Sequence, residues 1–595
     1  MIDVGIASGN GQHPLGDLDP LGDALGDTGD LRDLGDLGDL GQLIERRRAL
    51  GEACALRIGE RRWSYAELAT GVEQRAAALL QAGVSAGELV LCPTTPVLDS
   101  LLMQWALARL GAAMLPIRAD LPEPRRAALI RASGAEWWWE PADGDPKSEA
   151  ERGTESERDA GLEASGTARS AARADMRLAG TLIRSRRRQA RVAAPISGPQ
   201  PVPKSAPAPA HQTTAIPEAA TPPALLVETS GSSAAPKLVM VSAAAILASC
   251  QAVNARLDLR RGDRWLCVLP RQHVGGLAIG YRCALAGAEL WVQARFAAEA
   301  VQAALRQGGI THLSLVPAQL ERLLSLDPTP PPALRVVLLG GQGLDAGLAR
   351  RAVAHGWPLY LGYGMSETFS QIAGGWIGAD GVPEEGLIPL AGVELDCPRC
   401  ELAGATSVAS TLDPGPGLDA SPPPDRCAQS NDQRTGEPHV SSRPLRLRAP
   451  MLMLGYANPA RTPGDGLDAG WLRTSDLACR LPGGGLQVLG RADDVVLIAG
   501  INVLPAEIER QLAGLDRIAE IAVIGVPDPT WGHRLVALYT GDLAPSQLET
   551  WCRAHLPSHQ RPRGFVRLES LPLLDSGKRD RHALAARAAE VARAG

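Results

Sequence analysis

The chain has 595 residues, 45% hydrophobic and 21% charged, which is too long for one ordinary core and is the composition of a soluble globular protein with two or more domains. A formal net charge of -6 gives no electrostatic case for nucleic acid or anionic lipid as partner, and no run of about 18 apolar residues marks a membrane span, so small molecules are the expected partners. The N-terminus lacks a basic region followed by an apolar one, and ten scattered cysteines, several in apolar runs (Cys92, Cys267, Cys283), do not make a disulfide framework, so a reducing, cytoplasmic location is expected.

Taken in chain order, residues 15–42 repeat Leu-Gly-Asp at irregular spacing, and that density of glycine and aspartate opposes helix and strand, so 1–42 reads as a disordered arm. A calcium-binding nonapeptide repeat would need a regular period and paired glycines that are absent. "ELVLCPT" then precedes the helical "LDSLLMQWALARLGA". Residues 141–222 pass from acidic through the basic "IRSRRRQAR" to a proline-rich stretch, and read as a linker or surface insertion; no aromatic residues interleave with the arginines as nucleic-acid binding would want. Three more pairs follow: "RWLCVLP" with "GGLAIGYRCALAGA", "THLSLVP" with "AQLERLLSL", and "LRVVLLGG" with "LDAGLARRAVAHG". This alternation predicts an α/β fold with parallel sheets flanked by helices. A second insertion is expected at 398–441; Cys397 and Cys400 in front of it have metal-type spacing, but Cys427 and His439 downstream are not the compact second pair that structural zinc requires. After about residue 490, "PAEIERQLAGL", "IAEIAVIGVPD", "RLVALYTG", "PSQLETWCRAHL" and "GFVRLESLPLL" describe a smaller α+β unit.

The stretch "LLVETSGSSAAPKLVMVS" at 225–242 is the first with evident chemistry. A Walker-type loop needs glycine before its lysine and Ser or Thr after it; here Pro236 and Leu238 flank Lys237. What remains is a hydroxyl-rich turn, Thr229, Ser230, Ser232 and Ser233 around Gly231, able to donate several hydrogen bonds to a polyphosphate; an ordinary Ser-Gly turn has the same composition.

That loop, followed in order by "YGMSET" at 363–368, "GWLRTSD" at 470–476, "GRADDVVLIAGINVLPAEIE" at 490–509 and "SGKRDR" at 576–581, resembles the adenylate-forming superfamily of acyl-CoA synthetases, carrier-protein adenylation domains and luciferases. The resemblance extends back to residue 55 and covers nearly everything outside the arm and the two insertions. It implies an N-terminal domain over 43–492, a mobile C-terminal domain over 493–595, and activation of a carboxylic acid with ATP, magnesium and coenzyme A. By resemblance, Thr229 to Lys237 hold the β and γ phosphates, Glu367 supplies a carboxylate for magnesium, and Thr368 lies beside the α-phosphate. Gly340, Gly341, Gln342 and Tyr363, with Gly364, Met365 and Ser366, form the adenine side of the cleft; Asp476 and Arg491 grip the ribose. Lys578 contacts the reacting carboxylate and phosphate, Asp493 is the hinge, and Gly500, with Asn502, Pro505 and Glu507, faces the phosphopantetheine tunnel. Ala234 and Leu238, Ser475, and Ile498, Ala499 and Ile501 depart from the usual residues, which puts loop mobility and thiol transfer in doubt.

The stretch "PRQHVGGLAIGYRCALAGAEL" speaks to the acid. His273 matches a wall position of the acyl pocket, and Arg282 stands among apolar neighbours on a helix, so its charge needs a reason: a buried salt bridge, or a second carboxylate or keto oxygen on the substrate. "HVGGLAIGYRCALAG" is similar to the o-succinylbenzoate-CoA ligase branch of the superfamily, which implies an aromatic dicarboxylate destined for menaquinone synthesis; a fatty or aryl acyl-CoA synthetase, or an enzyme loading a carrier protein, is the alternative.

Overall fold

The computed structural model describes residues 39–141, 181–185, 221–229, 237–400, 443–457, 461–515, 517–528, 530–574 and 579–594. Each predicted strand–helix pair forms, with a short apolar run as the strand. Leu89–Pro93 leads to helix Val97–Arg109, Arg264–Cys267 to Val274–Ala286, His312–Leu315 to Pro317–Leu326, and Val336–Leu339 to Ala346–Ala354. The caps are local chemistry. Ser64 and Glu67 close a reciprocal capping box at the start of Tyr65–Gln81, and the Asp345 carboxylate accepts from the Leu348 amide at the start of Ala346–Ala354.

Nine strands form the largest sheet, in the order 388–389, 370–376, 359–365, 336–339, 312–315, 264–267, 289–292, 54–58 and 61–64, with the strands from 359–365 to 54–58 parallel throughout. A seven-stranded sheet runs 455–456, 237–241, 225–229, 113–117, 89–93, 137–140, 181–184. A third, antiparallel sheet contains 394–396, 444–448, 471–480, 467–468 and 486–491. One face of the nine-stranded sheet is packed by Leu266, Leu313, Val337 and Leu359 against Val301, Leu320 and Leu348 of the flanking helices. The C-terminal part builds its own sheet, 501–503, 496–498, 532–541 and 518–528, with 564–567 parallel to 532–541, and two cores, one around Ile508, Val523, Tyr539 and Leu548, the other around Val536, Leu571, Leu584 and Ala588. The α/β class is as expected; the closing helix Arg581–Ala594, which supplies Leu584 and Ala588, adds to the expected elements.

Three expectations change. Leu40–Gln42 forms a 3-10 turn with Leu40 buried, and a Cβ on Gly41 would come within 2.6 Å of Ala108 O, so residues 40–42, expected in the arm, are packed instead. Within the expected insertion at 141–222, Thr181–Arg184 is a strand paired with Trp137–Glu140; Arg184 lies 5.0 Å over the Trp137 ring, so this arginine of the basic run has an aromatic partner. Cys400 is disulfide-bonded to Cys479, because the segment at 398–400 exchanges main-chain hydrogen bonds with Arg480 and brings the two α-carbons to 5.1 Å. Cys400 is therefore not free to join Cys397 on a metal, and among the described residues no three His, Cys, Asp or Glu are grouped to hold one; Cys427 and His439 lie outside them. Cys92, Cys267 and Cys283 are buried free thiols, and among the described residues no helix is long and apolar enough to cross a membrane.

Candidate active site

The strand Leu359–Met365 ends in the turn Ser366–Thr368, and Ser370–Trp376 returns antiparallel beside it. The turn is tight enough to be strained. Phe369 and Ser370 take φ of 44° and 102°, which few residues other than glycine adopt, and a Cβ on Gly364 would stand 2.0 Å from Ser370 O, so only glycine fits there. Thr368 is fully buried; its hydroxyl accepts from the Met365 amide (3.2 Å) and donates to Ser370 O (2.7 Å). It brackets the turn from within.

Glu367 is half-buried on that turn, and the Tyr456 hydroxyl donates to its Oε1 at 2.8 Å. Tyr456 belongs to a short strand paired with Lys237–Val241, and Lys237 Nζ lies 5.3 Å from its ring centroid. Across the hairpin Thr229 stands opposite Lys237 and its hydroxyl donates to Lys237 O at 3.4 Å. The two ends of the hydroxyl-rich loop are thus tied to each other, and Lys237 is tied through Tyr456 to Glu367. Ser230, Gly231, Ser232 and Ser233 lie outside the described residues, as does Lys578. A half-buried carboxylate is an oxygen donor of the kind magnesium takes, so Glu367 fits the expected ion.

The two residues expected at the ribose are also brought together. Asp476 and Arg491 are directly opposite each other on adjacent strands, with Arg491 Nη1 3.7 Å from Asp476 Oδ1 and Arg491 Nη2 2.7 Å from Asp493 Oδ2. The Tyr363 hydroxyl donates to Asp476 Oδ2 at 2.6 Å. Burial, and then the Asp476 charge, push the Tyr363 phenol well above its ordinary pKa, so it remains a donor. Burial opposes the Arg491 charge, but hydrogen bonding to Asp493 and the charges of Asp493 and Asp476 hold its pKa above the ordinary value.

Gly340, Gly341 and Gln342 follow the strand Val336–Leu339 directly, at the same sheet end as Tyr363, and a Cβ on Gly340 would lie 3.6 Å from Gly362 O. Gln342 Oε1 accepts from the Arg579 amide at 3.1 Å. Arg579 also donates through Nη1 to Ile521 O (2.7 Å) and lies 3.9 Å from Glu509, so a residue next to Lys578 joins the segment after strand Val336–Leu339 to the C-terminal sheet. Asp493 sits in the 3-10 turn Ala492–Asp494 between the third sheet and the C-terminal one, and Asp494 pairs with Arg581. Gly500, at φ 84°, makes the exposed tip of the hairpin 496–503 with open space around it.

His273, half-buried, immediately precedes the helix Val274–Ala286 that carries Arg282. Arg282 is 1% exposed. No described carboxylate pairs with it, so the buried salt bridge falls away: Nη2 donates to Ser370 Oγ at 2.9 Å, the guanidinium lies 5.6 Å from the Trp265 ring, and Nε has no partner among the described residues. Burial lowers its pKa. Sequence reasoning missed Tyr456, Ser370 and Arg579. Ser370 stands two residues past "YGMSET" and could have been read as part of it; nothing local marks Tyr456, whose importance comes from a strand pairing across more than 200 residues.

A large central sheet of mostly parallel strands, followed by a small α+β unit, is the architecture of the adenylate-forming fold. The AMP-binding enzyme family matches residues 45–405, and the AMP-binding enzyme C-terminal domain matches 507–578; the chain belongs to this family. It is 28% identical over 339 residues to a 2-succinylbenzoate–CoA ligase of Bacillus pumilus (56% of this chain, 63% of the relative) and 29% identical over 330 residues to that of Bacillus licheniformis (55% and 62%). The matches thus span less than two thirds of these relatives' length. Its fold is similar to o-succinylbenzoate CoA synthetase of Bacillus subtilis in complex with the acyl-adenylate intermediate OSB-AMP (TM-score 0.64, 22% identity, 91% of this chain and 97% of that one), and to ATP-bound MatB of Rhodopseudomonas palustris (TM-score 0.67, 20% identity, 92% and 98%).

Proposed function

We propose that this chain is an ATP-dependent acid–thiol ligase that converts o-succinylbenzoate, or a close aromatic dicarboxylate, to its coenzyme A thioester in menaquinone synthesis, acting in the cytoplasm. The observation that supports the reading is that segments far apart in sequence are bonded to one strand and the turn after it, 359–368: Lys237 to Tyr456 to Glu367, and Asp476 beside Arg491 to Tyr363.

In the first half-reaction the substrate carboxylate attacks the α-phosphorus of ATP, a P–O bond forms, the bond to pyrophosphate breaks, and an acyl-adenylate results. Tyr363, Asp476 and Arg491 hold the nucleoside, with Gly340 and Gly341 letting the base approach the backbone. Lys237 and the hydroxyl-rich loop bind the leaving phosphates, and Lys578 neutralises charge on the reacting oxygens. Magnesium, which Glu367 would ligate, supplies positive charge against the phosphates when bound. In the second half-reaction the coenzyme A sulfur attacks the acyl carbon and AMP leaves with the electron pair of the broken C–O bond. We assign 43–492 and 493–595 as the two lobes, with Asp493 the hinge that withdraws Lys578 and brings Gly500 to the thiol.

The test is pyrophosphate release by the purified full-length protein with ATP, magnesium and a panel of o-succinylbenzoate, benzoate and octanoate, with and without coenzyme A. Release with o-succinylbenzoate in preference to the other two supports the reading; no release with any acid overturns it. Lys578→Ala should abolish acid-dependent pyrophosphate exchange while ATP still binds.

A further inference from the structure

Several buried polar atoms without partners converge on one face of the nine-stranded sheet. Trp265 is opposite His312, Ser314 opposite Leu338, and Leu338 opposite Tyr360, so Trp265, Ser314, Leu338 and, two residues beyond Tyr360, Gly362 all face the same way. Trp265 Nε1 donates to Ser314 Oγ at 3.0 Å, and the Arg282 guanidinium lies over the Trp265 ring and reaches Ser370. A Cβ on Gly362 would meet Gln371 Oε1 at 2.4 Å and Leu338 Cδ1 at 3.2 Å, so the Gln371 carboxamide occupies the space that a side chain at 362 would fill, on this same face. Gln371 is 4% exposed, and neither Oε1 nor Nε2 has a partner among the described residues; Arg282 Nε and Asn254 Oδ1 are equally orphaned, although Asn254 Nδ2 donates to Arg282 O. An apolar side chain of the same size would avoid the desolvation cost of that carboxamide.

We propose that Gln371 is a specificity-determining residue, whose Nε2 donates beside the Arg282 guanidinium to the distal carboxylate of the acid; this rests on the acid-activating reading above. The ligand chemistry follows from the donors. A cation with no described counter-charge and an unpartnered buried N–H on the same face of the sheet call for an anionic acceptor, and a carboxylate can accept from both at once. Ser370, held at φ 102° by the turn, fixes the guanidinium from the other side, so the pair is built before substrate arrives.

The test compares wild type with Gln371→Met, of similar size, and Gln371→Glu, in acid-dependent pyrophosphate exchange with o-succinylbenzoate and with benzoate. Gln371→Met should raise KM for the dicarboxylate about tenfold, the loss of one charge-assisted hydrogen bond, with kcat changing less than threefold and the preference over benzoate falling by the same factor. Gln371→Glu should lose more, because it sets like charge against the carboxylate. The melting temperature of free Gln371→Met should equal or exceed that of wild type, while its rise on adding o-succinylbenzoate shrinks. Equal KM changes for both acids, or unaltered preference, would overturn the assignment and leave Gln371 a packing residue. A wild-type enzyme that activates benzoate no worse than o-succinylbenzoate overturns it too while sparing acid activation; one that activates no acid overturns both.

Discussion

Asp476 offers the sharpest test of the nucleotide half of the cleft. Its Oδ2 is engaged by the Tyr363 hydroxyl at 2.6 Å and its Oδ1 stands 3.7 Å from Arg491, which leaves lone pairs on both oxygens for the two ribose hydroxyls. Asp476→Asn keeps the shape, and the amide oxygen still accepts from Tyr363, so the fold should survive. What changes is the charge. A hydrogen bond to an ionised acceptor is about twice as strong as a neutral one, so each ribose contact weakens by about 1 kcal/mol and the pair by about 2 kcal/mol, or roughly 30-fold. The ribose is remote from the bond being made, so ground and transition states lose alike, and the loss should fall on KM for ATP with kcat nearly constant. Steady-state pyrophosphate release over an ATP titration at saturating acid measures both. An unchanged KM would refute ribose contact, and a fall in kcat at constant KM would mean that Asp476 acts in the chemistry.

Tyr456→Phe removes the 2.8 Å donor to Glu367 and frees that carboxylate to move; the magnesium concentration for half-maximal activity should rise about three- to tenfold, with the KM for acid constant, as read in a magnesium titration. Glu509 tests the joint around Arg579. Burial raises its pKa above the ordinary carboxyl value, and the Val523 amide and the Arg579 charge only partly offset it. With the folded pKa raised, the folded state holds the proton longer than the unfolded chain, so stability declines as pH rises from the ordinary carboxyl range through the raised value. Glu509→Gln, which can still accept from Val523, should therefore stabilise the protein at pH 8 and have little effect near pH 4 in denaturant melts; the reverse order would refute the burial argument. The Cys400–Cys479 bridge closes a loop of 79 residues, for which chain entropy gives about 4.5 kcal/mol. Cys479→Ser should lower the melting temperature of the oxidised protein, and wild type in dithiothreitol should match it; coincident melts with and without reductant would mean that the bridge does not form.

What was legible in the sequence was what local chemistry specifies. Short apolar runs ending in Gly, Pro or Ser, each followed by a helical period, gave the parallel strands and their helices, because both signals lie within about 20 residues. Tyr363, Glu367, Asp476 and Arg491 were legible through their motifs, and the pairing of strands 471–480 and 486–491 then sets Asp476 against Arg491 as adjacent-strand register requires. Two kinds of fact were not legible. Thr181–Arg184 sits inside a polar, proline-rich stretch whose composition argues for no structure, and the edge of the strand Trp137–Glu140, the indole face of Trp137 and the Glu88 carboxylate give those four residues a place. The Cys400–Cys479 bridge depends on two segments 79 residues apart running side by side.

Arg282 is the instructive case, because its position on an apolar helix was legible and its purpose was not. Burial alone demands compensation for a guanidinium, and a salt bridge or a substrate group satisfies that demand equally well on paper. The choice turns on a strained turn almost 90 residues away. Gly364 admits the close approach of Ser370 O, Thr368 brackets the two strands, and Phe369 and Ser370 take up left-handed angles that carry the Ser370 hydroxyl to the guanidinium. A serine hydroxyl orients the charge without neutralising it. The turn that carries Glu367, the carboxylate proposed to serve the phosphates, therefore also holds a buried guanidinium that has no described counter-charge, and the two ends of a dicarboxylic acid would be read from opposite sides of six residues of backbone, 366–371.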